Sequence, residues 1–377
     1  MKLVNIIKLV IGWRLLLVVV ATVAMWLVPF SHDFNLGSLP NNWLNPFTTW
    51  ANFDGELYLT LAADGYLKVH YLQAFFPLYP ILISIIHKFT NLSYYLSGLG
   101  LGNLAFIAAV LVLYKLIRLD LSQKTSRLTL FALLTFPTAF YLGSVYSESV
   151  FLLLTVGAFW FARKHAWFWA AVAAALASAT RVSGIFVAFA VIIEFFQTHR
   201  FRPKLIWQNP QVVWLAITPL GLIAYMLFLN QHYGDPFYFA HVQSFFGAQR
   251  TTEKLILLHQ VFYRYAKMMI FVDHGTLTFL VAFLELIGAV FFIGLILKTY
   301  KLRLSYFIYG TCSFILPTLT GTFSSLPRYS LVIFPAFIIL AQWLEKRGAG
   351  FRCFYWAAMV ILLSVLTMLF VQGHFVA

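Results

Sequence analysis

Apolar residues fall along this chain in long uninterrupted runs, not in the strict alternation of a half-buried strand. Runs near the length of a bilayer-spanning helix, about 20 residues, occupy 9–30, 94–117, 128–143, 149–162, 166–180, 182–198, 212–230, 275–297, 304–320, 329–344 and 354–372. The pattern predicts an all-α polytopic membrane protein with about eleven transmembrane helices. A transmembrane β-barrel would show short alternating segments instead. Several runs are short, and 128–143 and 166–180 fit part-spans that bend toward a cavity. The first run follows Lys2 and Lys8, contains Arg14 and lacks a small-residue cleavage site. It reads as a retained span, not a cleaved signal peptide.

Two polar intervals, 31–90 and 231–274, interrupt the runs. Within the first, 50–66 is amphipathic, and FFPLYPILISIIHKF at 75–89 holds two prolines in fifteen residues. That piece is too short to span and is expected to lie in the interface. The glycine-rich GLGLGN at 98–103 sits inside a span, where small residues serve helix packing. No soluble domain or linker is visible, so residues 1–377 read as one membrane domain.

Composition agrees with this picture: 62% of residues are hydrophobic, 10% are charged, and mean hydropathy is +0.84. The net charge of +14 raises nucleic acid as a partner, but the Lys and Arg stand in small clusters between apolar runs. They read as topology signals. With the N-terminus in the cytoplasm, 18 of 26 basic residues fall on cytoplasmic segments and their flanks, Arg14 counted among them. The acids behave oppositely. Asp33, Asp54, Glu56, Asp64, Glu148, Asp235, Glu253 and Asp273 all fall outside. The polar chemistry therefore concentrates on the extracytoplasmic face. Cys312 and Cys353 suit neither a disulfide nor a metal site.

Candidate chemistry begins in WANFDGELYLTLAADGY, residues 50–66. Asp54 is placed to act as a general base beside an interfacial anchor of Trp50 and Phe53. On a helix Tyr58 shares its face, whereas Glu56 points elsewhere. The alternative is that Asp54 caps a helix beginning at Gly55. In FPTAFYLGSVYSESVFLL, 136–153, Tyr146, Ser147 and Glu148 meet at an outer hairpin, with Ser147 and Ser149 read as helix caps. A carboxylate between apolar spans needs a partner, and Arg181 in ASATRVSGIF is one candidate for Glu148. Arg328 in SSLPRYSLVIFP raises the same question as Arg181, and two such arginines suit a phosphate at the membrane surface. Asp235, in a Gly-Asp-Pro turn, either fixes the backbone or binds a ligand. No Walker A, GxGxxG or DxD motif is present, so nothing handles a nucleotide.

Taken in order, FDGELYLTLAADGY with FFPLYP, FPTAFYLGSVYSESVFLLL, TRVSGI, YGDPFYF and LPRYSLVIFP resemble the PIG-V-type mannosyltransferases of the GT-C superfamily. The resemblance runs from about 47 to 340, with Phe53-Asp54-Gly55 where the family usually has Trp-Asp-Gly. It implies a GT-C-type fold with interfacial helices in the first extracytoplasmic loop. It implies inverting transfer of mannose from a polyprenyl-phosphate donor to a glycolipid or glycan acceptor. Asp54 takes the family's acidic first-loop position as catalytic residue. Glu148, Arg181, Asp235 and Arg328 fall in its other recurrent motifs, and Glu56, Tyr58, Asp64 and Tyr146 are expected to shape substrate binding. No cofactor is expected, although outer acids are of the type that binds a divalent ion. The expected partners are the donor, the acceptor and membrane lipids, with no nucleic acid. The expected location is a prokaryotic plasma membrane with an outward-facing site, or the endoplasmic reticulum in a eukaryote. The alternatives are a GT-C transferase of another sugar and a transporter of a lipid-linked saccharide. For the transporter, Glu285 is the clearest mid-span charge, with Glu194 nearer the cytoplasmic end.

Overall fold

The structure, a computed structural model, describes residues 3–31, 48–68, 71–247, 250–251 and 254–376. Asp33, Glu253 and residues 32–47 of the first outer segment lie outside the described residues. The all-α expectation holds, and no strand occurs among the described residues. Helices α1 (Leu3–Leu27), α2 (Asp54–Asp64), α3 (Leu78–Thr90), α4 (Tyr94–Ile117), α5 (Gln123–Leu134) and α6 (Glu148–Arg163) come first. They are followed by α7 (Trp167–Thr180), α8 (Gly184–Thr198), α9 (Pro203–Gln208), α10 (Leu220–Tyr233) and α11 (Tyr238–His241). The last are α12 (Leu258–Phe271), α13 (Leu277–Thr299), α14 (Leu304–Thr318), α15 (Leu326–Ser330), α16 (Phe334–Glu345) and α17 (Ala349–Val371).

Five helical segments among the described residues are long and apolar enough to cross a membrane: α1, α4, 210–233, α13 and α17. The other predicted spans form helices of 12 to 16 residues. At 1.5 Å per residue these reach about 18–24 Å, short of a hydrocarbon core of about 30 Å. Helix α3, with 13 residues, is likewise too short to cross alone, as its prolines led us to expect.

The chain forms two compact units. The first comprises Met1–Val69, Pro77–Trp160 and Leu340–Val376. Here α1 packs along α17 and α4. The run predicted as a span over 128–143 ends early: α5 stops at Leu134, and 139–143 is a short 3-10 turn. Pro137 explains the stop, since proline disfavours helix in the residue before it and cannot donate a backbone bond. The Leu134 carbonyl accepts the Trp13 indole N–H at 2.7 Å. Trp13 sits about 15 Å along α1, so the chain between α5 and α6 runs at the depth of the spans. Residues 138–150 are buried throughout. The hairpin expected at 144–148 is thus packed inside the unit, not exposed at its surface.

The second unit comprises His70–Phe76 and Phe161–Ile339. Its centre is α7, WFWAAVAAALASAT, whose alanines let neighbours approach closely. A Cβ on Gly221 of α10 would meet the Ala175 carbonyl oxygen at 1.9 Å, and one on Gly184 of α8 the Ala177 carbonyl at 2.3 Å. Ser178 secures the first contact: its hydroxyl donates to Ala175 O at 2.8 Å and accepts from the Leu222 N–H at 3.0 Å. Elsewhere in this unit Glu194, 1% exposed, is held by Arg303 at 2.6 Å, Arg163 at 3.5 Å and the Ser305 hydroxyl at 2.7 Å. A buried charge is tolerable only when paired in this way.

Gly221→Ala is expected to lower detergent-solubilised stability by about 1–3 kcal/mol, the usual cost of overpacking. Gly157→Ala in α6, where an added Cβ meets nothing within 4 Å, is expected to be neutral or slightly stabilising. Thermal unfolding of the two proteins side by side checks the pair.

Candidate functional site

The first unit presents the acidic constellation. Its entry turn, residues 50–53, is tied down on several sides. Trp50 is fully buried beneath the Arg14 guanidinium, 3.9 Å from the ring centroid. Its carbonyl accepts from the Val145 N–H at 2.9 Å. The Asn52 amide donates to the Phe370 carbonyl at 2.8 Å, and the Asn52 carbonyl accepts the Tyr146 hydroxyl at 2.6 Å. Phe53 then adopts φ +59°, unusual for a bulky residue, with its ring packed against Phe370 and Phe375. Helix α2 starts at the next residue, Asp54, and ends at Gly65 with φ +74°.

This settles the alternative for Asp54. The N-cap residue is Phe53, and no side chain caps the helix. Asp54 is the first helical residue and stays partly exposed, while Glu56, in the same first turn, is 2% exposed. The first turn of a helix favours negative charge through the oriented peptide dipoles. Tyr58 bonds the Ser147 hydroxyl at 2.8 Å and lies edge-on to Tyr79 at 5.0 Å. Burial holds the Tyr79 phenol well above its ordinary range, and the nearby Tyr58 and Glu148 add to the effect. Glu148 opens α6 and is 1% exposed. Asp54, Glu56, Tyr58, Tyr146 and Glu148 thus belong to one constellation built on α2 and the buried 144–148 segment.

Several expectations need correction here. Ser149 lies inside α6 and does not cap it, its hydroxyl donating to the Leu142 carbonyl at 2.6 Å, while Ser147, directly before α6, bonds the Tyr58 hydroxyl. Asp64 is not gathered in with the other acids. It stands ten residues along α2, about 15 Å from Asp54, in an exposed i,i+4 pair with Lys68 at 2.8 Å. Arg14, counted as a cytoplasmic flank, is a mid-helix residue stacked on Trp50.

The second unit presents the basic constellation. Arg181 follows α7 as its C-cap, and Arg328 lies within the short α15. Both guanidiniums rest on one ring: Arg181 stands 5.2 Å and Arg328 4.8 Å from the Tyr329 centroid. Arg328 also donates to the Tyr329 hydroxyl at 3.2 Å. The tyrosine face attracts cations and so brings two positive charges to one place. Glu148, the partner considered for Arg181, belongs to the other unit; within its own unit Arg181 is placed by Tyr329.

Asp235 is a turn residue. Its carboxylate accepts the Phe237 N–H at 2.9 Å and contacts His241 Nδ1 at 2.6 Å. Glu285 does not stand open to a transport path. Its oxygens accept the Tyr265 hydroxyl at 2.5 Å and the Ser325 N–H at 3.1 Å. Among the described residues no three His, Cys, Asp or Glu gather closely enough for a metal ion. Sequence reasoning passed over Tyr329, although it adjoins Arg328, and Asn52, two residues before Asp54. Their roles rest on contacts distant in sequence, for which local spacing carries no signal.

The sequence matches the Mannosyltransferase (PIG-V) family over residues 3–254. The match takes in α1 and every candidate residue except Arg328, whereas the motif resemblance began near 47 and ran to 340. No curated protein sequence matches the chain. Among solved structures, an Archaeoglobus fulgidus oligosaccharyltransferase in complex with zinc and sulfate is similar over 96% of this chain and 53% of its own, at 14% identity and TM-score 0.47. ArnT from Cupriavidus metallidurans in the apo state is similar over 97% of this chain and 76% of its own, at 14% identity and TM-score 0.47. The same protein bound to undecaprenyl phosphate gives 97% and 77%, 13% identity and TM-score 0.46. The chain spans about half the length of the oligosaccharyltransferase it matches. On the family match over residues 3–254, the chain belongs to the Mannosyltransferase (PIG-V) family.

Proposed function

We propose that this chain transfers mannose from a polyprenyl-phosphate donor to a hydroxyl of a glycolipid or glycan acceptor on the extracytoplasmic face. In the step as written, the acceptor oxygen attacks the anomeric carbon from the side opposite the phosphate. Asp54 takes the hydroxyl proton. The bond from the anomeric carbon to the phosphate oxygen breaks, its electron pair leaves with polyprenyl phosphate, and the sugar configuration inverts. Asp54 is suited to this because, of the three carboxylates in that constellation, Asp54, Glu56 and Glu148, it alone is partly exposed. Within the second unit, Arg181 and Arg328 bind the phosphate and offset the charge that develops on it. Tyr329 presents their guanidiniums.

The observation that carries this reading is the placement of two arginines on the ring of Tyr329, at 5.2 and 4.8 Å. Guanidinium pairs bind phosphate bidentately and stay charged at every working pH. Undecaprenyl phosphate is named only for ArnT, and a polyprenyl-phosphate sugar as the donor here is part of the proposal.

Two outcomes are expected with radiolabelled polyprenyl-phosphate mannose and a crude lipid acceptor. Asp54→Asn is expected to fold but to lose about 10²–10⁴-fold in transfer rate, the range of a general base; full activity in that variant would remove Asp54 from the mechanism. Arg328→Lys keeps the charge but loses the planar fork, and should raise the donor KM about tenfold. An unchanged donor KM in both Arg328→Lys and Arg181→Lys would sink the phosphate assignment.

A further inference from the structure

Glu285 is the clearest mid-span carboxylate, and the proposed transfer step does not use it. It lies in α13, is 4% exposed, and would be costly there without partners. Its partners all lead to one short stretch of chain. Oε1 accepts the N–H of Ser325 at 3.1 Å, and Oε2 accepts the hydroxyl of Tyr265 from α12 at 2.5 Å. The Tyr265 oxygen in turn accepts the Phe323 N–H at 3.1 Å and bonds the Thr322 hydroxyl at 3.1 Å. Thr322 accepts the Ser324 N–H at 3.0 Å, and Arg264, beside Tyr265, donates to the Gly321 carbonyl at 2.9 Å. Every residue from 321 to 325 is therefore tethered, directly or through one hydroxyl, to Arg264, Tyr265 or Glu285.

The tether ends at a strained residue. Ser325 has φ +62° and is the N-cap of α15, the five-residue helix that carries Arg328 and Tyr329. A non-glycine residue keeps such a conformation only where its surroundings over-determine it. One turn beyond Glu285 on the same face of α13, Gly288 lies opposite Pro327, 3.6 Å from where a Cβ would stand. The α13 face thus holds Ser325 by a hydrogen bond and, at Gly288, leaves room for Pro327. Burial above all, and the adjacent Glu285, keep the Tyr265 phenol protonated, so it remains a donor to the carboxylate.

We propose that Glu285, through Ser325 and Tyr265, is a positioning residue that sets the start of α15 and thereby the placement of Arg328 and Tyr329 for the donor phosphate. The inference rests on the reading that this arginine pair takes that phosphate. It separates Glu285 from transport: both carboxylate oxygens are committed to holding a loop.

The test uses the full-length purified protein and two readouts. Hydrogen exchange across 319–331 reports the loop directly, and steady-state transfer gives separate KM values for donor and acceptor. Glu285→Gln removes one acceptor. It is expected to lower protection at 323–329 and raise the donor KM about tenfold, the scale of one hydrogen bond, with the acceptor KM unchanged. Tyr265→Phe, which keeps the carboxylate and the fold of α12, should show the same pattern more weakly, and Glu285→Asp should recover part of the loss. Unchanged protection at 323–329 would overturn the inference. So would donor and acceptor KM rising together with a lowered Tm, the signature of a merely structural carboxylate. If the wild type moved no sugar from any polyprenyl-phosphate donor, the proposed function would fall. Exchange at 323–329 would then decide by itself whether Glu285 sets α15.

Discussion

Residues 135–147 pass through the interior of the first unit without forming a continuous helix, and much of that unit is arranged to satisfy their backbone. In hydrocarbon an unpaired peptide group costs several kcal/mol, so non-helical chain survives at membrane depth only when protein groups bond it. Two of those bonds reach far along the sequence, from Asn103 to the Gly143 carbonyl and from Val145 N–H to Trp50; Ser149 meets Leu142 from nearby, and Trp13 holds the Leu134 carbonyl just ahead of the segment. The Val145 bond joins the buried segment to the turn before Asp54. Satisfying one interrupted span therefore also builds the entry to the candidate base.

The buried acids show the same constraint met with different partners. Glu194 is neutralised by two arginines, which suits the junction of three helices and little else. Glu285 is met by a hydroxyl and an amide, which direct it at a loop. Asp235 satisfies itself locally, through its own turn and His241. In the first unit, Glu56 and Glu148 are buried in the constellation that holds the partly exposed Asp54. What separates a structural acid from a chemical one here is the character of its partners, not its depth of burial.

Much of this was legible in the sequence, and the failures have physical causes. Hydropathy located α4 to the residue, because an uninterrupted apolar run of bilayer length admits one reading. The same signal misplaced the run over 128–143. Hydropathy averages over Pro137, whereas the backbone cannot. The charge tally treated Arg14 as a topology residue, since a cation–π contact with Trp50, 36 residues on, leaves no trace in local composition. Acidity in an apolar setting is conspicuous and marks Asp54 and Asp64 alike, although Asp64 is solvated beside Lys68. The arginine pair was foreseen as two separate residues; Tyr329, which makes them a pair, was not, because aromatic residues abound in this chain and one among 19 tyrosines carries no mark.

The two constellations share a construction. In each unit a short helix carries a candidate side chain, and the residue at its N-cap is a non-glycine held at positive φ: Phe53 at +59° before Asp54, and Ser325 at +62° ahead of Arg328. Such residues cost about 1–3 kcal/mol each, and each is bracketed by bonds and contacts made by its neighbours. Around Phe53 these are Asn52 on the Phe370 carbonyl, Tyr146 on the Asn52 carbonyl and the packing of the Phe53 ring itself. Around Ser325 they are Glu285 and the Tyr265 cluster. A sharp turn into a helix points its first residues in a direction that a relaxed loop would not hold. Electrostatic catalysis depends on charges already in place before the reaction begins, and strained turns locked from outside give two short helices that property.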